Sequence, residues 1–164
     1  MTQAGAADLF CILYHSREAL PANAGQAGAE LTRILEASHR NNAEQDVTGV
    51  LMFGHGSFVQ AIEGPQATVR ETFDRILADQ RHRELTVLHM DRIDERAFSA
   101  WSMATISDWD GSNRTRTVLD AVTSPEQASP SRSTLLNFLL GMLLRQAGRD
   151  WKPLPEPLPL KRQA

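Results

Sequence analysis

The sequence of 164 residues contains a single cysteine and no long apolar run. Cys11 can form no intramolecular disulfide, and its place in the apolar stretch LFCILY predicts a small buried side chain in a reducing compartment. The stretch LLNFLLGMLL has about half of the roughly 20 residues that a membrane-spanning helix needs. The first residues, MTQAGAADLF, lack the basic and apolar regions of a signal peptide. These absences predict a cytoplasmic protein that does not enter a membrane.

An excess of positive charge is also absent. The formal net charge is −3 and the isoelectric point is near 5.9, which argues against a protein that binds nucleic acid. The chain has no phosphate-binding loop, no G-x-G-x-x-G turn, no H-E-x-x-H helix and no C-x-x-C pair. Its five histidines show no metal-ligand spacing. The chain therefore lacks the standard catalytic signatures, and we expect it to hold no metal.

The apolar periodicity predicts one domain with the element order β-α-β-β-α-β-β. This is the order of a ferredoxin-like α+β sandwich with one additional strand, in which both helices pack on one face of the sheet. The glycine-rich GHG between two strands predicts a tight hairpin. After a loop over 23–28, the first helix is expected to end near Asn42, and Gly64 and Pro65 are expected to open the second. The strands are predicted over 8–16, 47–53, 57–63, 85–90 and 97–106.

Several predicted strands carry apolar residues on both faces, so the second face of the sheet also needs a cover. The segment 133–148, STLLNFLLGMLLRQAG, is apolar over most of a helical circumference and is predicted to supply that cover. Its broad apolar surface also predicts a contribution to a subunit interface, in a homo-oligomer that is a dimer or larger. The closing stretch WKPLPEPLPLKRQA alternates proline with leucine and is predicted to form an extended tail.

A set of polar side chains occupies positions where apolar ones are expected. Gln60 shares one face of its strand with Phe58 and Ile62, and a buried amide without partners costs about 1–3 kcal/mol. Each such residue has an ordinary explanation, such as a helix cap, a solvated ion pair across one helical turn, or core packing. Together they favour a flat heteroaromatic ligand with an imide edge, held between the two helices and the sheet. The residues are Tyr14, Asn42, Gln60, the pair Arg75 and Asp79, and the pair Trp101 and Met103 on one face of the last strand.

The same residues carry a resemblance to the BLUF domains, which are blue-light sensors that use a flavin. The matching pieces, in the family's order and spacing over 8–106, are YHS, SHRNN, TGVLMF, GSFVQAIEG, RILADQRH and RAFSAWSM. The stretch SPEQAS…LLNFLLGML resembles the two-helix extension of short, stand-alone members. The resemblance implies a flavin-binding domain over 8–106, a helical extension over 107–150 and a separate tail over 151–164.

The resemblance also implies a cofactor and a role for each unusual side chain. The cofactor would be FAD, or FMN or riboflavin in its place, held without a covalent bond. Tyr14 would donate an electron and a proton to the excited flavin, and Gln60 would rearrange by rotation or tautomerisation. Trp101 and Met103 would pass the change to the C-terminal helices and then to a separate signalling protein. The implied flavin-binding residues are Asn41, Asn42, Gln60, Arg75, Asp79, Arg81 and His82.

Two other interpretations remain at the level of sequence. A small ferredoxin-like enzyme of the acylphosphatase type would use an arginine in a phosphate-cradling loop after the first strand. Arg17 is available there, but no glycine-rich cradle surrounds it. A light-insensitive scaffold could keep the fold without the flavin.

Overall fold

A computed structural model describes residues 8–107, 113–124, 130–146 and 148. Five strands and four helices follow one another along these residues. In chain order they are β1 (Leu9–Glu18), α1 (Ala24–Glu44), β2 (Thr48–Gly54), β3 (Ser57–Pro65), α2 (Gln66–Leu77), β4 (His82–Arg92), β5 (Ala104–Ile106), α3 (Arg114–Thr123) and α4 (Arg132–Gln146). The tail expected over 151–164 lies outside the described residues. Within the described part of the chain, each helix is too short or too polar to cross a lipid bilayer.

The strands form one mixed sheet in the order β4-β1-β3-β2-β5. β1 runs antiparallel to both β3 and β4, β2 and β3 form a hairpin, and β5 adds to β2 in parallel. His55 and Gly56 make the tight hairpin turn, and both have positive φ angles, of 49° and 73°. The ferredoxin-like α+β arrangement predicted from the element order is therefore confirmed, with β5 as the additional strand.

The side chains of β1 and β3 alternate between two apolar clusters, one on each face of the sheet. Ile12 and Ile62 belong to the cluster under α1 and α2, whereas Leu13 and Ala61 belong to the cluster on the opposite face. The sequence predicted this alternation and the face on which Gln60 lies. The face under α1 and α2 is called the cavity face below, and the opposite face is called the helical-cover face.

The helical-cover face is closed by α3 and α4, as expected from strands that carry apolar residues on both faces. α4 contributes seven buried residues, and Val118 and Leu119 of α3 join the same cluster. The predicted helix over 133–148 corresponds to α4. The residue pattern alone did not predict α3 as a separate helix, because its apolar stripe is short.

Replacing Leu139 by alanine should lower the free energy of unfolding by about 2–5 kcal/mol, because the change leaves a cavity among packed side chains. Leu139 is 0% exposed in the helical-cover cluster, whereas its neighbour Phe138 is 41% exposed. Phe138→Ala is therefore the matched control and should cost less than about 1 kcal/mol. Urea unfolding of both variants measures the difference, and equal losses would mean that α4 does not cover the sheet.

Three predicted boundaries are wrong for local reasons. α1 begins at Ala24 rather than after residue 28, because Oδ1 of Asn23 accepts from the backbone N–H groups of Gly25 and Gln26 and caps the helix. Pro65 pairs with Leu9 at the end of β3, so it occupies the N-cap position of α2 instead of being its first residue. β4 begins at His82, three residues before the predicted strand over 85–90.

The predicted last strand over 97–106 is reduced to the three residues of β5. Residues 97–100 form a turn, in which the Trp101 N–H donates to the Phe98 carbonyl at 3.0 Å. The carboxylate of Glu63 accepts from the N–H groups of Ala97 and Phe98, which removes these donors from strand pairing. Trp101 and Met103 therefore precede the strand and do not lie on it.

Candidate functional site

A cavity of about 290 Å³ lies between α1, α2 and the cavity face of the sheet. Its size is near the lower end of small-molecule sites, which span roughly 300–1,000 Å³. Apolar side chains from all three elements form part of the wall, including Ile34, Leu51 and Ile76. The wall also contains Tyr14 and every residue that the resemblance implied for flavin binding, namely Asn41, Asn42, Gln60, Arg75, Asp79, Arg81 and His82.

The buried amide of Gln60 has a partner at each end. Tyr14 and Gln60 are directly opposite each other in the β1–β3 ladder, and the Tyr14 hydroxyl donates to Oε1 of Gln60. Nε2 of Gln60 donates weakly to Sδ of Met103 at 3.7 Å. Both Tyr14 and Gln60 are 4% exposed. The free-energy cost of burying this amide is thus offset by its hydrogen bonds with the Tyr14 hydroxyl on one side and the Met103 thioether on the other.

Tyr14 is held as a neutral hydroxyl donor. Burial raises the pKa of its phenol well above the usual value, and the negative charge of Asp79 adds to the shift. Its ring contacts Phe73 with centroids 5.7 Å apart and His82 with centroids 6.2 Å apart. The only tyrosine of the chain therefore faces the amide as a proton donor throughout the neutral pH range.

Trp101 and Met103 lie on opposite sides of the sheet, so the prediction that they share a face is wrong. Met103 is buried in the cluster on the cavity face, beside Gln60. Trp101 packs against the cluster on the helical-cover face. Neither residue lines the cavity itself. The cause is the turn over 97–100, which replaces regular strand alternation before β5.

The last turns of α1 bring amides to the cavity and also hold the segment before β5. Asn42 is buried, and its Nδ2 donates to the Ser102 carbonyl at 2.8 Å. One turn earlier, Nδ1 of His39 lies 2.5 Å from Oγ of Ser102. The Asn42 carbonyl accepts from the N–H groups of Gln45 and Val47, where the helix ends. Asn42 is thus a structural link between α1 and Ser102 as well as a part of the cavity wall.

Arg75 and Asp79 do not pair, contrary to the prediction from their spacing. α2 ends at Leu77, so Asp79 lies beyond the helix and loses the i,i+4 geometry. Arg75 instead donates to Oε1 of Gln45 at 2.6 Å. Asp79 accepts from the backbone N–H and the guanidinium of Arg81, and this guanidinium lowers the pKa of the carboxyl below its ordinary value. Sequence reasoning missed Gln45, which belongs to none of the motifs and is identified only by its hydrogen bond with Arg75.

His82 presents an unpartnered acceptor in the wall of the cavity. Its Nε2 lies 2.6 Å from the Ile76 carbonyl, which only accepts, so Nε2 carries the proton. In the neutral ring Nδ1 is then an acceptor, and this buried atom has no partner among the described residues. The apolar walls and the amides together fit a flat, polar-edged ring such as that of a flavin.

Arg17 is the residue that an acylphosphatase-type enzyme would use. Its Nε lies 3.0 Å from the carboxylate of Glu84, and its side chain is largely exposed. It does not line the cavity. Nothing in the described residues supports this alternative.

Comparison with known proteins identifies the family. The family model described as "Sensors of blue-light using FAD" matches residues 9–104, more than half of the chain. The chain belongs to the BLUF family. The resemblance inferred from six short motifs is thus confirmed, and BLUF domains are sensors rather than enzymes.

Relatives of this BLUF protein occur in chains of very different length. Photoactivated adenylate cyclase subunit beta of Euglena gracilis is 36% identical over 80 residues, which are 48% of this chain and 9% of that protein. The antirepressor BluF of Escherichia coli (strain K12), described as blue light- and temperature-regulated, is 31% identical over 45% of this chain and 18% of its own length. The chain therefore spans about a tenth to a fifth of the curated relatives described here.

Solved structures of BLUF proteins share the fold. BlrB, in a dark-state structure, is 32% identical, with a TM-score of 0.57 over 71% of this chain and 80% of BlrB. BlsA, in a photo-activated state, is 26% identical, with a TM-score of 0.65 over 83% of this chain and 94% of BlsA. These BLUF structures match most of their own length, so the α+β fold is shared beyond the motifs.

Proposed function

We propose that this BLUF protein is a blue-light photoreceptor that binds FAD non-covalently in the cavity between α1 and α2. The observation that carries the proposal is the Gln60 amide in the cavity wall, with the Tyr14 hydroxyl donating to it. FMN or riboflavin would present the same ring to the cavity.

Each residue of the cavity has a task in this proposal. Asn41 and Asn42 hold the imide edge of the ring, and Gln60 hydrogen-bonds near its N5 atom and C4 carbonyl. A second group, on α2 and on the residues that follow it, lines the cavity beside the ring. This group consists of Arg75, Asp79, Arg81 and His82.

A bound flavin would become a strong oxidant when it absorbs blue light. Tyr14 releases one electron and its phenolic proton and later recovers both, so no net chemistry remains. Gln60 rotates or tautomerises in that interval, which exchanges the donor and acceptor ends of its amide. The contact between Nε2 and Sδ of Met103 is then lost. Met103 and Trp101 pass this change to α3 and α4, which signal to a separate protein.

The assembly and output of the protein belong to the same proposal. The domain over 8–106 senses light, the helical extension over 107–150 carries the signal, and the protein forms a dimer or a larger homo-oligomer in the cytoplasm. The partner is a signalling protein rather than a nucleic acid or a membrane.

An absorbance spectrum before and after blue light tests the proposal. We expect a yellow protein whose flavin bands shift to the red on illumination and return in the dark. A protein that stays colourless after incubation with FAD, FMN and riboflavin would refute flavin binding. A yellow protein without a reversible shift would refute light sensing while leaving flavin binding intact.

A further inference from the structure

Glu63 is a fully buried carboxylate that the proposed photochemistry does not use. It follows Gln60 by three residues on β3 and is 0% exposed. Its two oxygens accept separate backbone donors, Oε1 from the Ala97 N–H at 3.2 Å and Oε2 from the Phe98 N–H at 3.0 Å. Burial raises the pKa of Glu63, while the two N–H bonds and the positive charges of Arg96 and Arg132 oppose that rise. A carboxylate in such a place needs a reason, because burying a charge is costly.

The segment 97–103 is held at both of its ends by β3. At its beginning, Glu63 binds the backbone on the helical-cover face. At its end, Gln60 contacts Met103 on the cavity face. The Trp101 carbonyl between these ends accepts from the Gly49 N–H at 3.0 Å. β3 therefore contacts the two ends of the segment from opposite faces of the sheet.

The two large aromatic side chains of this segment lie against the helical cover. Phe98 is completely buried in the cluster that contains Leu135, Leu136 and Leu139 of α4, and Trp101 packs against the same cluster. A displacement of Met103 moves Trp101 against the helices only if the other end of the segment stays in place. A segment free at both ends would relax locally and leave α4 unaffected.

We propose that Glu63 is a positioning residue for the light signal: it anchors residues 97–98 so that a change at Met103 displaces Trp101 against α3 and α4. The inference rests on the proposed photoreceptor function. A carboxylate suits this task because two acceptor oxygens match two adjacent backbone donors. Glutamine has the same shape but offers one acceptor, and its NH₂ group would face a backbone N–H.

Glu63→Gln in the full chain tests the anchor with two separate measurements. The red shift reports the surroundings of the flavin, and light-induced change in amide hydrogen exchange over 132–146 reports the helices. We expect the red shift to remain and the exchange change in α4 to fall by about fivefold, within the range of coupling losses for residues between two sites. The matched control is Val59→Ala, a truncation on the same strand and face, in the cluster that contains Phe98.

The outcomes separate an anchor from a merely structural residue. An exchange change in α4 that is as large in Glu63→Gln as in the wild type would overturn the inference. So would an equal loss in Val59→Ala, since that would trace the effect to general destabilisation. A wild-type protein without a red shift refutes the proposed function itself, and this is seen before any variant is made.

The wild-type protein offers a test that does not depend on how the variant folds. On illumination, the amides of Ala97 and Phe98 should keep their dark-state exchange rates, whereas those over 101–103 should exchange faster. Equal acceleration at both ends of the segment would show that Glu63 anchors nothing.

Discussion

Replacing Gln60 by leucine should abolish the light-induced red shift while the flavin stays bound. Leucine preserves most of the side-chain volume on the cavity face but removes both the acceptor for the Tyr14 hydroxyl and the donor to Met103. Among the described residues, Gln60 is the amide that contacts both partners. We expect the difference spectrum to fall below about a tenth of the wild-type amplitude, as for a group on which the response depends entirely. The amount of flavin released when the variant is denatured measures the fraction of the protein that carries flavin.

Tyr14→Phe is the companion variant, since it removes one oxygen atom and retains the ring. The contacts of that ring with Phe73 and His82 should persist, so the cavity keeps its shape. The shift should again disappear with flavin bound. Normal switching in either variant would show that the Tyr14–Gln60 pair does not carry the photochemistry.

A large loss of stability is expected from Gly49→Ala. A Cβ atom at this position would lie 2.2 Å from the backbone oxygen of Ala61 on the neighbouring strand. Backbone inside a sheet cannot move aside as a flexible side chain can, so β2 and β3 must separate. We expect a loss of about 3 kcal/mol or more in the free energy of unfolding, at or beyond the usual range for overpacking. Urea unfolding measures it.

Gly28→Ala is the matched control for this substitution. Gly28 lies on an exposed turn of α1, and a Cβ atom there meets nothing within 4 Å. Alanine in a helix is favoured over glycine by about 0.5–1 kcal/mol, so this variant should be more stable than the wild type. Destabilisation by Gly28→Ala, or tolerance of Gly49→Ala, would contradict the packing of these elements.

Local periodicity predicted most of the elements because burial repeats with the geometry of strand and helix. The alternation of β3 predicted that Gln60 shares a face with Phe58 and Ile62, and this is confirmed. Strands with apolar residues on both faces required a cover on the second face of the sheet, and α4 covers that face. The same reasoning failed at residues 97–103, where Glu63, distant in sequence, binds the backbone donors that a strand would have used.

The sequence by itself determined the fold, because periodicity is a local property that a chain records directly. The spacing of six motifs determined the family, and the resemblance implied most of the polar residues of the cavity wall. Only the tertiary structure decided which partners those residues take. It paired Arg75 with Gln45 and Asp79 with Arg81, and it separated Trp101 from Met103 across the sheet. Such choices depend on where helices end and on donors supplied from remote segments. Neither leaves a periodic trace in the sequence, so the contact of the Gln60 amide with Met103 emerges only after the strands have been brought together.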